Sequence, residues 1–336
     1  MARSVLLTGI SGFIAKRIAL DLLDAGHVVR GTLRSMSRAQ EVTDALAAHV
    51  SDPASLDRLS FAEADLTQDA GWDAAMQGID VLMHTASPFP GSMPKDENEL
   101  ITPAVEGTLR ALKAAQASGV TRVIMTSSVV AIEANDKGAP FDENDWSDPA
   151  HPRSTAYFKS KTLAERAAWD FVAAHPDMAL TAINPSLVLG SPLDQRFGTS
   201  LELIERLMSG KDPMLPCFGF GIVDVADVSA MHVKAMERED TAGQRFIASG
   251  GSMMLPDIAK VLKDAYPDRG IKTARAPDLL VRFLALFDAQ IRSILPNLGT
   301  MPEFDTSRAQ SVMGMEFVPP DEAIRRSAAA VAAKTA

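Results

Sequence analysis

Short, nearly unbroken apolar runs alternate along the first half of the chain with longer stretches in which apolar residues recur every three or four positions. The runs "SVLLTG" (4–9), "HVVRGTLRS" (27–35), "LSFAEADL" (59–66), "IDVLMHTAS" (79–87), "VTRVIMTSS" (120–128) and "MALTAINPSLVLG" (178–190) predict strands. The stretches "GFIAKRIALDLLDAG" (12–26), "RAQEVTDALAAHV" (38–50), "DENELITPAVEGTLRALKAAQASG" (96–119) and the segment holding "STAYFKSKTLAE" (154–165) predict helices, two of them closed by Gly26 and Gly119. Strands apolar at successive positions have both faces covered, and connections long enough to hold a helix set neighbouring strands parallel. The pattern predicts an α/β fold, a doubly wound parallel sheet flanked by helices.

Past Gly190 the rhythm breaks. "SPLDQRFGTS" (191–200) has loop composition, and the remainder is helix-rich with isolated strands such as "QRFIASG" (244–250). The expected division is a main domain over 1–190 and a smaller, mainly helical lobe over 191–336. Residues 218–240, with "FGIVDVADVSAMHVKAME", are expected to return to the main sheet. "LLVRFLALFDAQIRSIL" (279–295) has an apolar face too wide for full exposure, which suits either the cover of a pocket or a contact with a second copy of the chain.

Composition narrows the partners. At 336 residues and 46% hydrophobic, the chain can bury a large core without disulfides. Its formal net charge is −10 and no basic run offsets it, which argues against nucleic acid or an anionic membrane as a main partner. The single cysteine, Cys217, reads as a small buried hydrophobe in a reducing compartment. No apolar run reaches the length of a membrane span, and the opening one is too short for a signal segment. The expectation is a cytoplasmic monomer or homodimer acting on a small molecule. The histidines are scattered without metal-ligand spacing, so no metal is expected, and His84 reads as a packed residue at a strand end.

Between the first strand and first helix lies "TGISGFIA" (8–15). Gly9 and Gly12 let the backbone turn tightly and approach a pyrophosphate, which the first N–H groups and the positive dipole end of the helix would hold. Ala15 allows close packing of helix on strand. The spacing is G-x-x-G-x-x-A rather than G-x-G-x-x-G. Thr8, Gly9, Ser11, Gly12, Phe13 and Ile14 are the expected contacts. At the end of the second strand an NAD binder carries an acid for the ribose 2′-OH. Here "RSMSR" (34–38) carries Arg34 and Arg38 instead, and two guanidinium groups without an acid suit a 2′-phosphate. NADP(H) is therefore the expected cofactor, with NAD(H) left open. Asp65 and Leu66 would sit beside the adenine.

Ligands of such sheets bind at the carboxyl ends of the strands. There the chain places Thr85, Ala86, Ser87 and Pro88 after one strand, Ser127 and Ser128 after the next, then Tyr157 and Lys161 one helical turn apart. A phenol to give a proton, an ammonium to lower its pKa and hold a ribose, and a hydroxyl for the developing negative oxygen are the parts for carbonyl reduction. Met214, Phe218 and Phe220 would line a substrate pocket from the lobe.

"TGISGFIA", "RSMSR", "DL", "HTASP", "PAVEGTLRAL", "TSS", "YFKSK" and "NPSLVLG" occur in this order, with "FDTSRAQSVMGMEF" near the end. Over nearly its whole length the chain resembles an extended short-chain dehydrogenase/reductase, in the branch of dihydroflavonol reductases, cinnamoyl-CoA reductases and aldehyde/ketone reductases. The resemblance implies a Rossmann-type dinucleotide domain with a substrate lobe, and Ser128, Tyr157 and Lys161 as the catalytic set. Ser127 would be the strand neighbour of the active serine, and Pro185, Leu187 and Val188 would lie along the nicotinamide; loss of Ser128 would cost less if Ser127 can substitute. Ala104 stands where many short-chain dehydrogenases have asparagine, a form this branch shares. "VVAIEAND" (129–136) and "STAYFK" (154–159) depart from the plant forms, which argues against a phenolic plant-type substrate.

A nucleotide-sugar epimerase or dehydratase on the same scaffold is the nearest rival. Such a dehydratase would add an Asp-Glu pair after the active hydroxyl, where this chain has Val129 and Val130, and an NAD-holding epimerase would want an acid at Arg34. A catalytically silent NADP-binding sensor is the other, and the complete Ser, Tyr and Lys set argues against it.

Overall fold

The computed structural model describes residues 2–88, 96–196 and 198–335. The first part runs β1 (Ser4–Leu7), α1 (Phe13–Asp24), β2 (Val28–Leu33), α2 (Ala39–Ala47), β3 (Leu59–Glu63), α3 (Trp72–Met76), β4 (Val81–His84), α4 (Asn98–Ala117), β5 (Arg122–Thr126), α5 (Ala156–Ala173) and β6 (Ala179–Pro185). There follow β7 (Leu187–Leu189), α6 (Thr199–Met208), β8 (Gly219–Asp224), α7 (Val225–Glu237), β9 (Gln244–Ala248), β10 (Gly251–Met254) and α8 (Leu255–Ala265). The last helices are α9 (Asp278–Leu284), α10 (Ala289–Ile294), α11 (Ser307–Met313) and α12 (Pro320–Thr335).

Seven strands form one sheet in the order β3-β2-β1-β4-β5-β6-β9, with every pairing parallel. This is a doubly wound, Rossmann-type sheet, and its order reverses between β1 and β4. The unbroken apolar strands follow from burial on both faces. Val5, Leu7, Val81 and Met83 enter a core with α1, α2 and α7, whereas Leu6 and Leu82 on the same two strands enter a second core with α3, α4 and α5. A third core lies between a small sheet, β10-β8-β7, and helices α6, α8 and α12. Among the described residues no helix is long and apolar enough to cross a membrane.

The structure differs from the sequence expectation beyond β5. "MALTAINPSLVLG" is two strands, not one. β6 stays in the main sheet and β7 pairs with β8 in the small one. The chain bends at Ser186, whose N–H and Oγ both donate to the Ala248 carbonyl, at 3.0 and 3.1 Å. Residues 218–240 return only in part. β8 belongs to the small sheet, while α7 packs beside α1 in the core of the main one. The seventh main-sheet strand is instead β9, from the "QRFIASG" segment expected in the lobe. A short apolar run reads alike in either sheet, so pattern alone could not assign it.

Candidate active site

The β1–α1 turn needs its glycine. Gly9 has φ +67°, and a Cβ there would lie 3.0 Å from the Ala86 Cβ and 3.1 Å from its Cα. Gly12 donates to the Gly9 carbonyl at 2.9 Å and caps α1 without a side chain, and no acid lies in the first turn. The first N–H groups of α1, at Phe13, Ile14 and Ala15, therefore face a cavity these residues line, with the positive end of the helix behind them. That is a cradle fit for a pyrophosphate.

Behind the turn, Thr8 Oγ1 accepts from the N–H groups of Thr85 and Ala86, each at 3.0 Å. Its own proton is thus left for His84 Nδ1, 3.1 Å away, which puts the imidazole hydrogen on Nε2, toward Thr108 Oγ1 at 3.4 Å. Burial, aided by the nearby Lys161 charge, pushes the His84 pKa down to about 4, so the ring stays neutral. Thr85 closes the set by donating to the Thr8 carbonyl at 2.5 Å.

Ser11 accepts from Arg38 Nη1 at 3.0 Å, which brings the second of the two arginines to the glycine turn. Arg38 also pairs with Glu41 at 2.9 Å. Arg34 is exposed at the end of β2 and acts on Asp65. The Asp65 carboxyl is held below the usual range, first by the Thr67 N–H at 2.8 Å and further by Arg34 and Arg110. Leu66 packs against Gly107, and its carbonyl accepts from Arg110.

A cavity of about 610 Å³ runs from this turn along the carboxyl edge of the sheet. Its walls include Gly9, Gly12, Thr85, Ser87, Ser127, Ser128, Tyr157, Lys161, Pro185, Leu187, Val188, Phe218 and Phe220. The two phenyl rings meet edge to face at 5.1 Å. Pro88 is half-buried but does not line the cavity, and Met214 lies 37% exposed outside it. The lobe side of the wall is made instead from the start of α6, at Thr199, Ser200 and Leu203, and from Phe218 to Gly221.

Thr155 caps α5, its Oγ1 accepting from the Phe158 N–H at 3.4 Å, so Tyr157 falls in the first turn and Lys161 one turn on. Lys161 Nζ is 6.0 Å from the centre of the Tyr157 ring. Tyr157 hydrogen-bonds to Ser128, whose hydroxyl also lies 3.4 Å from the Pro185 carbonyl. The expected lowering of the phenol is not what its surroundings give. Burial pushes the Tyr157 pKa up, and the Ser128 hydrogen bond pulls it part of the way back. Burial likewise brings Lys161 down to about 8, against the pull of the Glu165 carboxylate. Ser127 is not a spare for Ser128: it is 4% exposed and its hydroxyl donates to Glu165 at 2.5 Å.

Two lining residues had no signal in the sequence. Glu133 sits past the end of β5 with Oε2 buried and unpartnered among the described residues. Burial pushes its pKa up to about 7, opposed by Arg153, which donates to the Glu133 carbonyl at 2.5 Å. Both appear in sequence as ordinary charges of a loop.

A parallel sheet with its glycine turn, strand-end hydroxyls and helix-borne Tyr and Lys around one cavity at the switch point defines a nucleotide-binding α/β protein. The chain belongs to the NAD dependent epimerase/dehydratase family, whose model matches residues 5–248. It is 34% identical to the NADPH-dependent methylglyoxal reductase GRE2 of Saccharomyces cerevisiae, over 79% of this chain and 83% of that protein. It is 31% identical to an anthocyanidin reductase ((2S)-flavan-3-ol-forming) of Vitis vinifera, over 81% of this chain and 83% of the relative. The crystal structure of yeast methylglyoxal/isovaleraldehyde reductase Gre2 complexed with NADPH superimposes with a TM-score of 0.81 at 29% identity, covering 99% of both chains.

Proposed function

We propose that the protein is an NADPH-dependent reductase that interconverts an aldehyde or ketone and the corresponding alcohol. The observation that carries this reading is the hydrogen bond between Tyr157 and Ser128 in the wall of the cavity that begins at the glycine turn, with Lys161 one turn behind. The names of the yeast and grape relatives support the reaction class.

In this reading Gly9, Gly12 and the N–H groups of Phe13 and Ile14 take the pyrophosphate, and Arg34 and Arg38 the 2′-phosphate. Asp65 and Leu66 lie by the adenine, and Pro185, Leu187 and Val188 by the nicotinamide. NADPH, when bound, supplies the hydride. Tyr157 gives its phenolic proton to the carbonyl oxygen as negative charge develops there, and Ser128 donates a second hydrogen bond to that oxygen. Lys161 sets an ammonium 6.0 Å from the centre of the phenol ring, a positive charge beside the phenolate that proton transfer leaves. Phe218 and Phe220 offer the substrate an apolar wall, which suits a carbonyl with a hydrocarbon body.

The test is NADPH oxidation against a panel of aldehydes, diketones, keto esters and aromatic ketones, with parent and Tyr157→Phe protein. The phenylalanine keeps the packing and removes the hydroxyl. Turnover should fall by about 10²–10⁴ with cofactor binding and melting temperature nearly unmoved. Ser128→Ala should lower turnover without rescue by Ser127, whose hydroxyl is committed to Glu165. A folded Tyr157→Phe protein that keeps its activity on every accepted substrate would overturn the assignment.

A further inference from the structure

Glu165 is 0% exposed, and both its oxygens are engaged. Oε1 accepts from Arg245 Nε at 2.6 Å and from Trp169 Nε1 at 3.3 Å. Oε2 accepts from Ser127 Oγ at 2.5 Å and from Asn184 Nδ2 at 2.8 Å. The Asn184 amide also donates to the Ser128 carbonyl at 3.1 Å. Arg245 lies 3.8 Å over the Trp146 ring and donates to the carbonyls of Glu143 and Asp145 at 2.9 and 2.6 Å. One carboxylate thus joins α5 to the ends of β5 and β6 and to β9. It follows Lys161 by four residues, which places the two on one face of the helix.

Stability alone does not account for such a group. A buried ion pair is commonly matched or bettered by apolar side chains of the same volume. What an apolar pair could not do is act on Lys161. Burial drives that ammonium toward neutrality, and the Glu165 carboxylate opposes it.

We propose that Glu165 is a positioning residue of the active site: its buried carboxylate fixes the Tyr157–Lys161 turn of α5 against Ser128 at the end of β5, and holds an anion behind the Lys161 ammonium. The proposal rests on the reductase reading above. The other titratable groups around Lys161 are Tyr157 on its own helix, His84 at the end of β4, and Glu133 and Arg153, which line the same cavity. His84 is neutral, and Arg245 stands behind Glu165, bonded to it.

The sign is fixed. An anion raises the pKa of a neighbouring ammonium, so Glu165→Gln moves Lys161 further below about 8. Activity that needs the charged lysine is then lost at lower pH on the alkaline side. The experiment records kcat/KM and the cofactor KM against pH for the parent, Glu165→Gln, Glu165→Gln/Arg245→Met and Tyr157→Phe, with circular dichroism on each. Removing Arg245 along with the charge leaves no stranded guanidinium, so the double variant carries the test if the single one fails to fold. The expected result is a folded variant with kcat/KM down by about 10–100-fold and the alkaline limb displaced by about half a pH unit or more to lower pH. An unmoved limb in the folded variants, with Tyr157→Phe inactive, overturns this proposal and leaves the reductase reading standing. An active Tyr157→Phe protein overturns both.

Discussion

Arg38 has two partners, Ser11 in the glycine turn and Glu41 on α2. Glu41 is held below the usual carboxylate range, first by its hydrogen bond from Arg38 and further by Arg196. Arg38 is therefore aimed at the glycine turn but shared with an acid that would compete with a phosphate bound there. Arg38→Ala should raise the NADPH Michaelis constant about tenfold or more and leave NADH nearly unchanged, since a charge-assisted contact is worth about 1.5–3 kcal/mol. Glu41→Gln should have the opposite sign and tighten NADPH. Equal effects on both cofactors would remove the 2′-phosphate from these residues. The glycines, Arg34, Arg38, Tyr157, Lys161 and Ser128 could be named as candidates from sequence because such residues stand at fixed spacing around strand ends. Glu133, Glu165 and the commitment of Ser127 could not. Their roles depend on contacts such as Ser127–Glu165, 38 residues apart, and Glu165–Arg245, 80 apart, which leave no local pattern.

Among the elements, α1 carries a lysine that its own periodicity marks as merely polar. Lys16 is 1% exposed and its ammonium pairs with Asp194, in the loop between β7 and α6. Two residues further on, Arg196 Nη1 lies 3.0 Å from Glu41 on α2. The loop read in the sequence as a break between domains is thus tied back onto the first two helices. Asp194→Asn leaves a buried ammonium without its anion and should cost about 3 kcal/mol or more, read from urea unfolding at neutral pH. Lys16→Met together with Asp194→Leu should recover most of that loss. If Asp194→Asn costs nothing, the pair is not what anchors the loop. The strands and long helices up to β5 were legible because each buries a face locally. The division of "MALTAINPSLVLG" was not, because Ser186 bends the chain through a bond to Ala248, a residue of β9.

For the whole molecule, the boundary expected at 190 cuts across the main sheet. The main sheet takes its edge strand, β9, and its covering helix, α7, from beyond that point. A fragment of residues 1–190 would leave the β6 edge unpaired and strip α7 from its place beside α1 in the core. It should bind an apolar dye and lack a cooperative melt, whereas the full chain melts in one main transition. A soluble, sharply melting fragment would restore the two-part division.

The single residue between β6 and β7 also bears on how the substrate range of this scaffold can change. β6 ends in one sheet at Pro185 and β7 begins in the other at Leu187, and the β9 strand of the first sheet lies among the sequence of the second. No one crossover point in the sequence transplants the small sheet whole without carrying part of the large sheet with it. Recombination between relatives is poorly suited to exchanging the lobe as a cassette. New specificities are more readily reached one side chain at a time, at cavity positions such as Val130, Glu133, Leu203, Phe218 and Phe220.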